Sequence, residues 1–246
     1  MLCKLKTWLT FSRIGGVGAI GFATMIVLAN AIAVPAGQPT PGAAMSEVSA
    51  YFAANAGVVG GTAMLIPAAW LLATIFGASV VAITWRTERR RGDAWALVGF
   101  AGILLQNGTF AAVIACRLAM VAAPDSLVLW SLHDALFGLN GTFLATALIG
   151  LTMSGRRSDL IPVWLAAVGL VAAAFLLASA SLSHFVMQSG GAFGPLGLIG
   201  WLGWVVWLLS YGVSLIRHQP DSGCATATPD QRHTVDSLEV CRARSR

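Results

Sequence analysis

The sequence has very little charge for its length. Only 10% of its 246 residues are Asp, Glu, Lys or Arg. Soluble domains usually carry about 25% charged residues, because their surface must be wetted. Hydrophobic residues make up 57% of the chain, and the mean hydropathy is +0.77. This composition excludes an ordinary soluble domain and predicts that lipid is the solvent for most of the chain.

Motifs of known chemistry are also lacking. The four cysteines have no C-x-x-C spacing, and no Cys/His cluster matches a zinc site. The sequence contains no H-E-x-x-H, G-x-S-x-G, Walker or dinucleotide-binding pattern. Paired histidines at equal depth, which a membrane haem needs, are not evident. The sequence therefore predicts no cofactor and no metal, and it gives no positive sign of an enzyme.

What the sequence does contain is six long apolar segments. Each has 21 to 27 residues, so each can cross about 30 Å of hydrocarbon as a helix. Strands of a membrane barrel would alternate in polarity, and these segments do not. The sequence predicts an all-α polytopic transmembrane bundle over 14–216. Its predicted spans are 14–34, 58–84, 94–116, 127–153, 160–182 and 196–216.

Lysine and arginine are distributed one-sidedly around these segments. Of the 15 basic residues, 14 lie in the two tails or in the second and fourth connections, and only Arg117 lies at the other side. Positively charged loops stay in the cytoplasm. We therefore expect both termini to be cytoplasmic in a bacterial inner membrane, with tails at 1–13 and 217–246, the second of them disordered. Because the basic residues flank the spans, no nucleic-acid partner is expected.

The first segment has an alternative interpretation. Its basic start and the small residues at 29–33 resemble a signal peptide, whose removal would leave five spans. Its 21 apolar residues exceed the usual 7 to 15, which favours a retained span. In the loop that follows, Val48, Tyr51 and Phe52 share one helical face, which predicts a short helix on the outer membrane interface. Asp125 and Asp159 are predicted to cap the fourth and fifth helices.

Four short stretches carry a resemblance, at 12–17, 53–57, 97–100 and 158–171. The longest reads Ser-Asp-Leu-Ile-Pro-Val-Trp-Leu-Ala-Ala-Val-Gly-Leu-Val. It resembles the fifth-helix motif of a bacterial multipass family that is catalogued only as a domain of unknown function. That family has a charged residue just after the Gly-Phe of the third helix, where this chain has Ala101. The resemblance implies six helices and implies no activity.

Polar residues inside the spans are the candidate site, because burying ionisable groups in a membrane is costly. One stripe of the third helix carries Gly99, Gly102, Gln106, Val113 and Arg117, and one stripe of the fourth carries Asp134, Gly138, Gly141 and Ala145. A carboxylate among small residues faces another helix, so the third and fourth helices are predicted to pack with Asp134 near Gln106 or Arg117. On one interpretation Asp134 binds a proton or a cation, with His133 as its titrating partner. On the other, an Asp134–Arg117 pair only fixes helix register. The candidate residues are Gln106, Asn107, Arg117, His133, Asp134 and Asn140.

The tetrapeptide Asn-Gly-Thr-Phe occurs twice, at 107–110 and 140–143. It could mark broken helices at a transport site, but the copies lie on adjacent spans, which favours close packing. Three function classes stay open at this point. They are a transporter of a small solute or of protons, a non-catalytic component that binds membrane protein partners or a second copy, and a lipid-modifying enzyme.

Overall fold

The structure is a computed structural model that describes residues 10–188 and 194–218. Over those residues it is helical without strands, and six of the helices are long and apolar enough to span a membrane. The predicted all-α bundle with six spans is thereby confirmed. Most of both predicted tails lies outside the described residues. The helices are α1 Phe11–Ala33, α2 Met45–Ala54, α3 Ala56–Arg91, α4 Trp95–Ala122, α5 Leu127–Arg157, α6 Val163–Ser181, α7 Ser183–Gln188 and α8 Gly194–Arg217.

The six long helices form a closed ring in the order α1, α3, α4, α5, α6, α8, with α8 returning to α1. Large aromatic side chains fill its interior. Phe76 packs edge-on against Trp207 and Tyr211, with ring centroids 6.2 and 5.5 Å apart. The second and fourth connections and the end of α8 lie at one end of the ring, which we call the basic end. The opposite end, where α2 lies, is called the site end.

Several helices extend beyond the hydrophobic segments that predict them. α3 continues through its terminal arginines to Arg91 and ends at Gly92, which has a left-handed φ of 71°. α4 continues to Ala122, so Arg117 lies within the helix and not at its end. Hydropathy marks the part of a helix that crosses hydrocarbon, whereas the helix itself continues until a residue such as glycine stops it.

Both predicted aspartate caps are wrong. α5 is capped by Ser126, whose Oγ accepts a hydrogen bond from the Leu129 amide at 3.4 Å. Asp159 belongs to the end of α5 and not to the start of α6, which follows Pro162. Its φ is 54°, and the next amide donates to the Gly155 carbonyl at 2.9 Å. This is the usual left-handed helix ending, occupied here by aspartate where glycine is commoner.

Glycine lets α4 and α5 approach closely, as the stripe on α4 predicts. A Cβ on Gly99 would lie 2.6 Å from the Leu151 amide nitrogen, and one on Gly102 would lie 2.8 Å from the Ala147 Cα. The predicted partner stripe on α5 faces elsewhere, since Gly141 packs against α6 near Leu176. Gly197, Gly200 and Gly203 of α8 also pack on α6, and a Cβ on Gly200 would lie 3.0 Å from the Leu176 amide nitrogen.

Candidate functional site

The segment between α1 and α3 closes the site end of the bundle, and we call residues 34–55 the cap. Its first half contains a tight turn in which the Ala43 amide donates to the Thr40 carbonyl at 3.0 Å. Pro41 and Gly42 occupy the centre of this turn, and Gly42 has a φ of 81°. A proline followed by a left-handed residue is the pattern of a type II turn, and glycine adopts it without steric cost.

The second half of the cap is α2, which confirms the short helix predicted there. Val48, Tyr51 and Phe52 share one face of this helix, as predicted, and all three are buried. That face packs against Trp130 of α5 and Met120 of α4. The apolar side of α2 therefore contacts the protein, and its small or polar residues face outwards.

A continuous set of hydrogen bonds joins α4, α5 and the cap. The Arg117 Nε–H donates to His133 Nε2 at 3.0 Å. His133 Nδ1 lies 3.0 Å from Asp134 Oδ1, and the Gly42 amide donates to Asp134 Oδ2 at 2.8 Å. We call Arg117, His133 and Asp134 the Arg–His–Asp chain. It ties the turn of the cap to two membrane helices.

This geometry fixes the tautomer of His133. Arginine has donors and no acceptor, so Nε2 must offer its lone pair to Arg117. The ring proton then resides on Nδ1, from which it is donated to the Asp134 carboxylate. The imidazole is neutral and bridges a cation and an anion, so the three side chains together carry no net charge. Such a buried arrangement is tolerable only when the charges are matched and hydrogen-bonded.

Aromatic stacking holds the imidazole plane in place. The His133 ring lies parallel to Trp130, with centroids 4.8 Å apart and planes 11° from each other. The Phe137 ring is also parallel to the imidazole, with centroids 6.0 Å apart and planes 8° from each other. Residues three before and four after His133 lie on the same helical face, so α5 alone supplies this stack. The side chain is only 3% exposed, and that of Asp134 is 5% exposed.

Tyr51 of the cap is the other titratable group that faces Arg117. Burial raises the pKa of the Tyr51 phenol, although the positive charge of Arg117 acts in the opposite direction. A raised phenol pKa keeps the side chain protonated from acidic to mildly alkaline pH. Tyr51 is therefore a neutral neighbour of Arg117 and leaves Asp134 as the counter-charge of the guanidinium.

A small cavity adjoins the Arg–His–Asp chain. The volume that the centre of a water molecule can occupy in it is about 10 Å³, which is room for about one water. Arg117 and His133 contribute polar atoms, and the cap covers the cavity with Gln38 and Pro39. The cavity admits water or a proton, and it is too small for an organic solute.

The remaining candidate residues lie elsewhere. Gln106 is three turns below Arg117 on α4, about 16 Å along the axis, and borders a second cavity of about 10 Å³ beside Trp207. Asp134 was predicted to lie near Gln106 or Arg117. The structure links it to Arg117 through His133, whereas Gln106 lies far from it. Asn107 links α4 to α3, since its Nδ2 donates to the Trp70 carbonyl at 3.3 Å.

Neither Asn-Gly-Thr-Phe copy interrupts a helix, because α4 and α5 are continuous through them. A Cβ on Gly141 would lie 3.0 Å from the Leu176 carbonyl oxygen, whereas one on Gly108 would meet nothing within 4 Å. Close packing thus explains the second copy only. Asn140 is buried, and its Oδ1 has no hydrogen-bond partner in the described part of the chain.

A buried carboxylate at the basic end was not among the predicted site residues. Glu88 is 2% exposed, and its two oxygens lie 3.0 and 3.2 Å from the Ala96 amide at the start of α4. A carboxylate at that position satisfies a helix N-terminus and complements its dipole. Its place within the run Arg-Thr-Glu-Arg-Arg-Arg suggested a solvated charge. The signal was the turn at Gly92 and Asp93, which brings the next helix back onto Glu88.

The segment around His133 does not assemble a hydrolase triad. Ser131 is exposed on another side of α5, while His133 and Asp134 are buried. His133 Nε2 already accepts a hydrogen bond from Arg117, so this nitrogen is not free to act as the general base for a serine.

Comparison with protein-family models, curated proteins and solved structures found no significant match to this chain. Membership of the family that the stretch at 158–171 resembles stays a prediction.

Proposed function

We propose that this chain is a multipass membrane protein in which the Arg–His–Asp chain is a proton-responsive latch for the cap. One observation carries the proposal. Both ring nitrogens of a buried histidine are occupied, one by a cation and the other by the carboxylate that also holds the Gly42 amide. An added proton therefore breaks or weakens one of the hydrogen bonds that join the cap, α5 and α4.

The sign of the response follows from the donors and acceptors. A proton on His133 Nε2 turns both ring nitrogens into donors, so Arg117 loses its acceptor and faces a second positive charge. A proton on Asp134 removes the counter-charge of Arg117 and weakens the bond from Gly42. The first event releases Arg117 of α4 and the second weakens the hold of α5 on the cap, so acidification loosens this end of the bundle.

The other groups that face His133 do not oppose this response. Tyr51 of the cap titrates on the alkaline side, because burial raises its pKa. α3 contributes Val59 and Thr62 to the adjoining cavity, and neither titrates. Arg117 and Asp134 are thus the charged residues that decide the response.

The small volume of the cavity helps to choose among the three function classes. Room for about one water supports proton binding and disfavours carriage of an organic solute. A lipid-modifying enzyme is also disfavoured, because His133 is occupied on both nitrogens. A proton-responsive membrane component is therefore the function that the geometry supports best.

Spin labels can test the latch. The variant lacks the native cysteines and carries spin labels at A50C on the cap and L118C on α4. Pulsed electron–electron double resonance in lipid nanodiscs measures the distance between the two labels. Both positions are exposed. We expect one narrow distance distribution at about pH 8 and a broader one at about pH 4, an acidity well below the ordinary pKa of a histidine and close to that of an aspartate. A distribution that is unchanged between these pH values would refute the latch.

Two variants sharpen this measurement. Asp134→Asn should give the broad distribution at both pH values, because the carboxylate is gone. Asp125→Asn changes an exposed carboxylate at the same end of the bundle and should preserve the wild-type pH response. If both variants behaved alike, a general charge effect would explain the opening and the latch would be wrong.

We also propose that both termini are cytoplasmic in a bacterial inner membrane. The support is the distribution of charge, since the basic end carries Arg86, Arg90, Arg156 and Arg217 and the site end carries Arg117. Fused after Arg246, green fluorescent protein should fluoresce and alkaline phosphatase should be inactive. The reverse pattern would place the site end in the cytoplasm.

A further inference from the structure

The last two turns of α3 have two different faces. Glu88 points inwards to the α4 N-terminus. Trp85, Arg86, Arg89 and Arg90 are exposed, and at 3.6 residues per turn they fall within an arc of about 140°. We call these four residues the arginine face.

The carboxylates near the arginine face are engaged elsewhere. Both Glu88 oxygens lie within hydrogen-bond distance of the Ala96 amide, and Asp93 Oδ1 lies 2.5 Å from a guanidinium nitrogen of Arg157. Asp159 pairs with Arg156 at 3.3 Å. Over residues 10–188 and 194–218, no carboxylate lies within ion-pair distance of the three face arginines, so they form an open positive surface.

The depth of this surface matches the headgroup layer of a bilayer. α3 has 36 residues and is therefore about 54 Å long, whereas hydrocarbon is about 30 Å thick. Trp85 is 41% exposed, and the Arg89 guanidinium lies 5.9 Å from the centre of its ring. Tryptophan prefers the boundary between acyl chains and headgroups, so Trp85 sets the arginines at the level of lipid phosphates.

We infer that the arginine face binds the headgroups of anionic phospholipids. The guanidinium group offers two parallel N–H donors that match two oxygens of a phosphate. Arg86 and Arg90 are one turn apart on the helix and Arg89 lies beside them, so neighbouring phosphates can be held side by side. The lipid, and not a free phosphate ion, is the partner, because Trp85 adjoins the acyl region while the arginines bind the headgroup.

Native mass spectrometry of the detergent-solubilised full chain can measure this binding. The probe is phosphatidylglycerol, with phosphatidylcholine as the neutral comparison. Each arginine near an anionic lipid surface is worth a factor of about five, so Arg86→Gln with Arg90→Gln should weaken phosphatidylglycerol binding about thirtyfold. Phosphatidylcholine binding should stay the same. An unchanged phosphatidylglycerol affinity would overturn the inference.

The matched control is Arg156→Gln with Arg217→Gln, which removes two exposed arginines from the same end of the bundle but off the arginine face. We expect less than a threefold change. Equal weakening by both pairs would mean that diffuse positive charge attracts the lipid, and the inference would fail. Inorganic phosphate should not displace the lipid at equal concentration, and displacement would contradict a lipid-specific site.

Discussion

Asp134→Asn should lower the free energy of unfolding by about 1.5–3 kcal/mol, because the buried carboxylate accepts hydrogen bonds from His133 and Gly42 and a hydrogen bond to a charged group is worth about that much. Asp134 is 4% exposed, and with its charge removed the guanidinium of Arg117 lacks a counter-charge inside the bundle. The Gly42 amide also loses a charged acceptor. Reversible unfolding in mixed detergent and lipid micelles measures this difference.

A double variant identifies the cause of that loss. Combining Asp134→Asn with Arg117→Met removes both charges, so no charge is left buried and unpaired. The double variant should recover more than half of the lost free energy, because the two substitutions are strongly non-additive. Asp125→Asn, an exposed carboxylate at the same end, should change stability by less than about 0.5 kcal/mol. Additive losses in the double variant would contradict a matched charge pair.

Glu88→Ala should destabilise the protein by about 1–3 kcal/mol, because it leaves the Ala96 amide buried without an acceptor. Ala96 is fully buried, so water cannot replace the carboxylate at low cost. The effect should add to that of Asp134→Asn, since the two sites lie at opposite ends of the bundle and share no partner. The same unfolding assay applies.

Glu88→Gln is the matched control for this second prediction. Glutamine keeps one carbonyl oxygen that can accept the Ala96 N–H, and it loses only the charge that favours a helix N-terminus. Its cost should therefore be less than half that of Glu88→Ala. If glutamine and alanine were equally destabilising, packing volume and not the hydrogen bond would be the reason.

The parts of the fold that depend on local pattern could be predicted from the sequence. Hydropathy located six spans, since a membrane leaves a helix no alternative. The spacing of Val48, Tyr51 and Phe52 predicted α2 and its apolar face, although that face packs on α4 and α5 and does not lie on the membrane interface. Gly99 and Gly102 predicted the close side of α4. In each case the periodicity of one helix contains the required information.

The missed features depend on residues far apart in the chain. Gly42 meets Asp134 across 92 positions, and no local pattern links a turn to a carboxylate on another helix. Proline followed by glycine at 41–42 is typical of a turn, but the pair carries no information about the partner of that turn. His133 was expected beside Asp134, yet its place between Asp134 and Arg117 depends on how α4 and α5 cross. The glycines of α5 failed as a guide for the same reason, because a helix with small residues on two sides does not reveal which neighbour it meets.

The protonation state of His133 is the most direct test of the Arg–His–Asp chain. The protein has four histidines. Nitrogen-15 NMR of histidine-labelled protein in bilayers can therefore assign the His133 signal as the one that is lost in His133→Gln. At neutral pH we expect a neutral ring with the proton on Nδ1 and none on Nε2. A ring protonated on Nε2, whether neutral or cationic, could not accept the Arg117 hydrogen bond and would contradict the latch.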